Sequence, residues 1–543
     1  MVRAALTCSN GVSSISKSHN KILRFLTPIQ MRAFFGFYSK LNVHKVVFPF
    51  SAAIVIICVI LSIVYGKESG QYITNANSWI LKYFDNFYLI AVNGFVLALF
   101  AIIISPRASI KLGGPNSKPE FSFLAWVSML FSAGMGIGLV FWGVAEPLNH
   151  FNSYPFDKSI SASQDASIPA ISLSLFHWGI HAWAIYAIVG LALGYFAYNK
   201  GYPLTLRSTL QPLLKKKVNG TLGNIVDIVA TVATLFGVAT SLGFGAKQIN
   251  SGLTAVFHGL EVSASVQIII ISFITICATF SVVSGLNKGI KLLSNTNILI
   301  ALCLMVLVFA LGSPLEILAG TFKSLLHYCS HFVQTSTVKW TGGVEDEGWL
   351  GGNTVFYWAW WIAWSPFVGM FIARISKGRT VREFLLVVLF IPLLITLVWF
   401  NVFGYSSILY TLNGTTQISE TVSQNYAMSL FALFDQIPFT LFLSFISIVV
   451  IILFFVTSSD SASYVVDVIT SGGNEAPHKY TKIFWAVLEG LIAVILVYIG
   501  GQNSLTTLQT ASIIVALPLS FILVVLACSL VKDFYTKCKD SET

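Results

Sequence analysis

The segment FYWAWWIAWSPF, residues 356–367, places four tryptophans inside a run that otherwise has the composition of a membrane-buried helix. A tryptophan in a membrane protein usually lies at the boundary between lipid and water, where its N–H stays hydrated. At 3.6 residues per turn, Phe356, Trp360 and Trp364 fall on one helix face with Trp361 beside them. The segment therefore predicts a helix with an aromatic wall that stops where the Ser-Pro pair breaks the helix.

The composition of the chain predicts many more membrane helices. Of the 543 residues, 55% are hydrophobic and 10% are charged, whereas soluble domains are about 25% charged. Because about 20 apolar residues cross a bilayer, the sequence predicts an all-α membrane protein with twelve transmembrane helices. Their expected limits are 46–65, 86–105, 121–145, 168–198, 223–256, 264–284, 295–312, 350–374, 384–410, 437–466, 481–500 and 506–531.

The basic residues indicate the orientation of the chain. With both termini on one side, 26 of the 32 Lys and Arg residues fall on that side, five fall on the other and Lys247 falls within a span. This bias is typical of cytoplasmic loops. Both termini are therefore expected in the cytoplasm, and the net charge of +10 is no sign of nucleic-acid binding. Residues 1–45 are expected to form a cytoplasmic tail, although a transit peptide has the same composition.

Ten of the twelve predicted spans fall into two sets of five. Residues 46–105 hold two leading helices, and residues 121–312 and 350–531 hold the two sets. Residues 313–349 are expected to form an amphipathic outer segment and a loop, and residues 532–543 a short cytoplasmic tail. Since a set of five reverses the starting side, the two sets would be inverted repeats.

The opening helix of each set is expected to be interrupted. The first contains SAGMGIG, residues 132–138, and the second contains WSPFVG, residues 364–369. Interrupted helices at corresponding places in two halves indicate a transporter binding site, because broken backbone at membrane depth is tolerated only where it lines a cavity or is buried in protein.

The sequence lacks the motifs that would indicate an ATPase or a zinc enzyme. It contains no GxxxxGK[ST] loop for an ATPase and no HExxH zinc motif. No long cytoplasmic segment is available for a catalytic domain. A carrier that is driven by an ion gradient and needs no cofactor is the simplest remaining class, and an enzyme is not expected.

The aromatic wall suits a ligand with a quaternary ammonium group, which cannot donate a hydrogen bond. Ring faces attract such a cation by about 0.5–1 kcal/mol when exposed and about 2 kcal/mol when desolvated. A single tryptophan would be better explained by an interfacial belt or by helix packing, but four rings beside a helix break favour binding. Trp178, Trp183 and Tyr186 lie in mid-helix on neighbouring faces and are expected to line an approach path.

Five segments resemble the betaine–choline–carnitine transporters, over roughly residues 45–530. They are SAGMGIGLVFWGVAEPL, FHWGIHAWAIYAIVG, TLFGVATSLGFG, FYWAWWIAWSPFVGMFIARISKGRTVREF and FVTSSDSASYVVD. The resemblance implies a secondary transporter with the LeuT-type fold, a five-plus-five inverted repeat behind two leading helices, and a homotrimer. It also implies a central ammonium site and a second aromatic set nearer the outside. The central residues are Phe356, Trp360, Trp361 and Trp364, and the second set is Trp178, Trp183 and Tyr186.

The same resemblance implies a sodium site between the first interrupted helix and the tenth span. Its ligands would be backbone carbonyls and hydroxyls from Ser132, Met135, Phe454, Thr457 and Ser458.

A second sodium site of the family is doubtful in this sequence. Thr234 and Phe367 match its pattern, but Val238 stands where a second threonine is expected, and valine has no oxygen.

Four further residues leave alternatives open. Lys247 within a span could snorkel to the surface or replace a bound sodium ion. His177 and His181, one turn apart, could shuttle protons or hold zinc, although packed neutral histidines are the preferred explanation. Asp460 is expected to form local bonds and is a weaker candidate for an ion ligand.

The sequence is best explained as a sodium-coupled importer of glycine betaine in the inner membrane of a bacterium. By resemblance, relatives that carry choline or carnitine often have an aspartate where Gly138 stands, so a neutral site favours betaine. Met135, Gly136 and Gly138 are then expected at the substrate, with free backbone N–H groups for its carboxylate. Proton-coupled choline or carnitine transport is the alternative, and a sensor that binds substrate without transport is a distant one.

Overall fold

The computed structural model describes residues 41–257, 259–284, 287–344 and 347–536. Most of the predicted tail 1–45 and the end of the predicted tail 532–543 lie outside these residues. The described residues form helices joined by turns and loops, and their one β-bridge joins Lys111 to Thr380.

Fourteen helices of twelve or more residues make up most of the described chain. They are α1 (Val47–Tyr65), α2 (Lys67–Ile104), α3 (Phe123–Asn152), α4 (Ser167–Trp178), α5 (Ile180–Gly194), α6 (Thr221–Val256), α7 (Ala264–Ser284), α8 (Asn287–Leu311), α9 (Pro314–Thr341), α10 (Phe356–Ile375), α11 (Val381–Trp399), α12 (Thr440–Thr470), α13 (Lys479–Gly500) and α14 (Ser504–Thr536).

Shorter helical pieces join these helices. The α-helical pieces are Leu206–Thr209, Gln211–Leu214, Glu347–Leu350, Ser406–Leu412, Gln417–Gln424 and Ser429–Phe434. Single π-helical segments are Tyr195–Asn199, Gly351–Val355 and Phe400–Tyr405.

Every one of the twelve predicted spans overlaps a helix. Within the described residues, nine helical stretches are long and apolar enough to cross a membrane, and two bent pairs raise the number to as many as eleven. One of the nine, Lys479–Thr536, contains both α13 and α14, which turn at Gly501–Asn503 and pack against each other. The count of twelve spans and the inverted repeat stay predictions.

Three predicted boundaries lie seven or more residues from the ends of the helical stretches. Helix α2 begins at Lys67 instead of residue 86, because a polar stretch continues the helix beyond the apolar run. Helix α3 continues to Asn152 instead of residue 145, and α8 begins at Asn287 instead of residue 295.

The predicted interruption of α3 is confirmed. Its two parts, Phe123–Phe131 and Gly136–Asn152, are bent by 65° relative to each other. Gly136 has φ −16° and ψ −120° at this point, outside the helical region. A glycine without a Cβ atom allows this backbone conformation.

The predicted break of α10 at Pro366 is wrong, because the helix runs unbroken from Phe356 to Ile375. Proline lacks the N–H that would bond the carbonyl four residues earlier, which is that of Ile362. The hydroxyl of Ser365 donates to this carbonyl instead, at 2.7 Å. The carbonyl therefore stays satisfied, and the helix continues through the proline.

One break was not predicted and separates α4 from α5. Gly179 has φ −95° and ψ −129° between the two helices. A methyl group there would lie 2.5 Å from the carbonyl oxygen of Leu175 and 2.7 Å from the Leu393 side chain. Only glycine therefore fits, and the break divides Trp178 from Trp183.

Burial shows which helices lie at the centre of the bundle. Among the 18 most apolar consecutive residues of Gln164–Asn199 and of Gly348–Ile375, 94% are buried. In Val47–Tyr65 the corresponding share is 28%. Helix α10 packs against α5, α6 and α14, and α6 packs against α12. The helices that carry the predicted aromatic residues therefore form the core of the protein.

The predicted amphipathic outer segment and loop, residues 313–349, contain the helix α9. This helix is bent by 112° from residues Thr296–Leu311 of α8. Ile317, Gly320, Ser324 and Tyr328 are buried at helical spacing, and α9 packs against α4.

Candidate substrate-binding site

Trp361 of α10 joins the two sets of aromatic residues that the sequence predicts. Its ring lies edge to face with Trp178 of α4, with centroids 4.8 Å apart, and with Tyr186 of α5 at 6.1 Å. Tyr186 in turn meets Trp183 edge to face at 5.6 Å. These four buried rings form one chain of near-perpendicular contacts, which we call the aromatic box.

A stack of rings extends the box along α10. Trp360 stacks on Trp361 with centroids 4.7 Å apart, and Phe356 stacks on Trp360 at 5.5 Å. Phe244 of α6 makes an edge contact with Trp360 at 5.1 Å. The predicted wall is therefore present from Phe356 to Trp361, and its role in binding stays a prediction.

Trp364 does not continue this wall. In the part of the chain that the structure describes, its one ring contact is with Phe367, at 5.7 Å. A methyl group on Gly237 of α6 would lie 3.0 Å from the Trp364 ring. The close approach of α6 therefore places the indole of Trp364 against α6, away from the stacked rings.

Gly138 allows α3 to approach the box. A methyl group at this position would lie 2.9 Å from the rings of both Trp178 and Trp360. Gly138 therefore has a steric role that the sequence did not predict. Its predicted contact with a substrate carboxylate is a separate role. Any side chain here, including the aspartate considered above, would have to push the two indoles apart.

Glu146 is absent from the sequence-based prediction, because the expected span ends at residue 145. Its Oε2 accepts hydrogen bonds from Trp178 Nε1 at 2.5 Å and from the Tyr357 hydroxyl at 2.6 Å. Its Oε1 lies 2.6 Å from His177 Nδ1 and 3.3 Å from His150 Nε2. We call these five buried residues the Glu146 cluster.

The Glu146 cluster holds the aromatic box in place. It fixes the indole of Trp178 directly, and the His177 carbonyl accepts a hydrogen bond from Trp361 Nε1 at 2.9 Å. The His177 ring stacks on Tyr357 with centroids 4.7 Å apart, and its Nε2 lies 3.0 Å from Thr354 Oγ1. Glu146 therefore fixes one ring of the box directly, and the backbone carbonyl of His177 fixes a second.

The cluster also contains a possible set of metal ligands. One atom from each of Glu146, His150 and His177 lies within 4.8 Å of the others, and two histidines with one carboxylate are a known zinc set. Ligands of a tetrahedral zinc ion are roughly 3.3 Å apart, whereas His177 and Glu146 are at hydrogen-bond distance. The residues therefore fit a hydrogen-bonded network better than a bound metal.

His177 and His181 bind different partners, although they are one turn apart in sequence. His181 Nε2 lies 3.1 Å from Asn93 Oδ1 and 3.2 Å from Ser336 Oγ. Its ring stacks on Trp358 of α10 at 5.3 Å. The two rings therefore do not face a common ligand.

Two residues of the predicted main sodium site, Ser458 and Phe454, lie against the α3 bend. A methyl group on Gly136 would lie 3.3 Å from Ser458 Oγ and 3.6 Å from the Phe454 ring. The Thr457 hydroxyl donates to the carbonyls of Leu453 at 2.8 Å and Phe454 at 3.2 Å, which leaves its oxygen lone pairs for a cation. Hydroxyl and carbonyl oxygens suit a small hard cation.

Ser132 and Met135 belong to the same bend of α3. Their side chains lie outside the described residues, so the structure supplies only their backbone placement in the helix.

The doubtful second site has its residues on facing helices. Thr234 and Val238 of α6 are buried, as is Phe367 of α10. The Thr234 hydroxyl donates to the Ala230 carbonyl of its own helix at 2.8 Å. Val238 supplies no oxygen, as the sequence indicates.

The two remaining charged candidates lie in α6 and α12. Lys247 is half-buried, and no hydrogen bond or ion pair joins it to another residue in the described ranges. Asp460 accepts a hydrogen bond from the Ser281 hydroxyl at 2.7 Å. Because Ser281 belongs to α7, this bond joins two helices and is not the local bond that was expected.

Long apolar helices around a buried aromatic box, with a bent glycine-rich helix beside it, are features of a multi-pass membrane transporter. Residues 46–539 match the BCCT family, described as betaine/carnitine/choline family transporter. The chain belongs to this family, whose members are transporters and not enzymes.

Several bacterial transporters are similar to this chain over most of their length. Glycine betaine transporter 1 of Vibrio parahaemolyticus is 43% identical over 499 residues, which cover 91% of this chain and 94% of that protein. A glycine betaine/proline/choline/ectoine transporter of the same organism is 42% identical, covering 91% and 88%. The glycine betaine transporter OpuD of Bacillus subtilis is 41% identical, covering 88% and 92%.

Proposed function

We propose that this protein imports a quaternary ammonium osmolyte, glycine betaine, and that a sodium gradient drives the import. The observation that carries the proposal is the aromatic box, in which Trp361 meets Trp178 and Tyr186 edge to face. Ring faces attract a quaternary ammonium cation without requiring a hydrogen bond from it. Relatives with glycine betaine in their names support the same substrate.

Substrate binding requires the rings of the box to separate, because they touch each other in this structure. Gly138 of α3 lies against Trp178 and Trp360, next to the bend at Gly136. A change of the bend angle would therefore open or close the box. This arrangement supports alternating access in which α3 moves and α10 stays rigid.

The coupling ion in this proposal is one sodium ion at the α3 bend. Its ligands would come from Ser132, Met135, Phe454, Thr457 and Ser458. The second site would stay empty because Val238 lacks an oxygen. Val238→Thr should then raise the Hill coefficient for sodium above one, while an unchanged coefficient would contradict a second site at Thr234.

We place the protein in a bacterial inner membrane as a homotrimer with both termini in the cytoplasm. The excess of Lys and Arg on one side of the predicted spans supports the orientation. Reporter fusions at each terminus test it, and the mass of the detergent-solubilised particle tests the trimer.

Uptake by the purified protein in proteoliposomes tests the function. Radiolabelled glycine betaine and choline are compared with a sodium gradient, with a proton gradient and with neither. Sodium-driven accumulation of betaine is the expected result. Saturable binding without accumulation would indicate a sensor, and no binding of either compound would refute the proposal.

Proton-coupled choline transport is the second candidate, and the Glu146 cluster favours it. A buried carboxylate 2.6 Å from His177 Nδ1 can accept a proton, and its negative charge suits a cationic substrate. Choline uptake that ignores sodium and stops when the proton gradient is dissipated would establish this alternative. Lys247 would then be the first residue to substitute.

A further inference from the structure

We infer that the Glu146 carboxylate is the counter-charge of the bound ammonium group and sets how strongly the site prefers a cation over a zwitterion. The inference rests on the proposed function, because it requires a quaternary ammonium group in the aromatic box. It concerns a residue outside the box that accepts a hydrogen bond from the indole of Trp178, one ring of the box.

The four groups around Glu146 fit an ionised carboxylate best, because all four can donate to it. Trp178 Nε1 can only donate, and the Tyr357 hydroxyl donates to the same Oε2. Oε1 faces two further ring nitrogens, those of His177 and His150. An ionised carboxylate accepts from all four groups, whereas a protonated one would replace an acceptor with a donor.

The two histidines satisfy their bonds best as neutral rings. His177 donates from Nδ1 to Glu146, and its Nε2 can accept from the Thr354 hydroxyl. His150 Nδ1 is buried without a hydrogen-bond partner in the described part of the chain. Protonation of His150 would place an unsatisfied N–H there, which is costly in a buried site.

The cluster therefore carries one negative charge without a permanent counter-charge. The ion pairs of Glu146 in the described ranges are with these two histidines and with no Lys or Arg. A buried charge without a partner is unfavourable. An ammonium group in the adjacent box would compensate it whenever substrate is bound.

The position of Trp178 connects this charge to the box. Its N–H binds the carboxylate, and its ring meets Trp361 with centroids 4.8 Å apart. A cation in the box is therefore about one indole ring from the carboxylate. The effective dielectric constant in a protein is about 20, against about 80 in water. The cation and the carboxylate therefore attract each other more strongly at this distance than they would in water.

At one fixed sodium concentration, the Glu146 charge should favour choline over betaine. The carboxylate of betaine is repelled by Glu146, which offsets part of the attraction of its ammonium group. Choline has no carboxylate and keeps the full attraction. Removal of the Glu146 charge should therefore lower the choline-to-betaine affinity ratio at fixed sodium, by about tenfold.

Two substitutions remove the charge in different ways. Glu146→Gln removes it directly, and His150→Lys places a permanent positive charge beside an intact carboxylate, in case Glu146→Gln fails to fold. Tyr357→Phe is the matched control, because it deletes one hydrogen bond to Glu146 and leaves the charge unchanged. Dissociation constants of choline and betaine are measured by tryptophan fluorescence on purified, monodisperse protein at constant sodium.

The ratio of the two constants separates charge from position. We expect the ratio to fall about tenfold in Glu146→Gln and in His150→Lys, and to stay at the native value in Tyr357→Phe even if both affinities decrease. An equal loss for both ligands in the two charge variants would overturn the inference, since Glu146 would then only position the rings. Failure of native protein to bind either ligand would instead refute the proposed function.

Discussion

Helices α3 and α10 both carry residues that interrupt helices, but only α3 is bent. Gly136 departs from helical geometry, and the two parts of α3 meet at 65°. Pro366 in α10 leaves the helix continuous, because the Ser365 hydroxyl bonds the carbonyl that proline cannot reach. The comparison teaches that a proline does not break a membrane helix when a side chain bonds the carbonyl it leaves free, whereas a glycine with non-helical backbone angles does bend one.

The difference assigns separate tasks to the two helices. The unbroken α10 presents Phe356, Trp360 and Trp361 as a fixed stack, whereas the bend of α3 lies beside Ser458. The predicted ion site therefore lies beside the bent helix. The ring side is built on the helix that is held straight.

The largest expected effect is on the α3 side, where the Ser458 hydroxyl faces the bend. Thr457→Ala combined with Ser458→Ala should abolish sodium-stimulated betaine uptake, because each unfilled oxygen position costs about 1–3 kcal/mol. Initial uptake rates in proteoliposomes at increasing sodium measure it. Ser447→Ala, a buried hydroxyl elsewhere on α12, is the control. If sodium still stimulates uptake by the double variant, the sodium site does not lie at the bend.

The contact between α3 and the box is tested by Gly138→Ala. Its methyl group would lie 2.9 Å from two buried indoles, and overpacking of this kind costs about 1–3 kcal/mol. We expect a lower melting temperature and weaker betaine binding. Gly94→Ala is the control, since a methyl group there has no atom within 4 Å. Equal stability of the two variants would show that α3 does not press on the rings.

The ring side is tested by comparing Trp361→Leu with Trp364→Leu. The first should weaken betaine binding by about 1–2 kcal/mol, the value of a desolvated contact between a cation and a ring. The second should have a smaller effect, because Trp364 contacts Phe367 instead of the stack. Competition binding measures both. If both variants bind betaine with the affinity of the native protein, the aromatic box does not bind the substrate.

The smallest expected effect is that of Ser365→Ala. Loss of the bond to the Ile362 carbonyl should destabilise the protein by about 1 kcal/mol, seen as a lower melting temperature. In a Pro366→Ala background the same substitution should cost less, because the restored N–H bonds that carbonyl. The double-mutant cycle isolates this coupling. Additive effects would contradict the explanation for the straight helix.

Most of the helices and the aromatic stack were predictable from sequence, because both depend on local patterns. Runs of apolar residues predict each helix, and helical spacing brings Phe356 and Trp360 onto one face. The orientation of Trp364 was not predictable, since it depends on the approach of Gly237 from a helix more than a hundred residues away.

The roles of Glu146 and Gly179 depend on the fold and were not predicted from local sequence patterns. A carboxylate followed four residues later by His150, at the end of an apolar run, was a signal for a buried polar group. Its partners Trp178 and Tyr357 come from other helices, so only the fold brings them together. The glycine in HWGIH was a similar signal for the break between α4 and α5.

Tryptophan fluorescence of the native protein tests the central claim, that the aromatic box recognises a quaternary ammonium group. The purified protein is titrated at constant sodium with glycine, dimethylglycine and glycine betaine. The account predicts a saturable change with glycine betaine, a weaker one with dimethylglycine and none with glycine, because the amines without the third methyl group are more strongly hydrated. An equal response to glycine, or no response to glycine betaine, would contradict it.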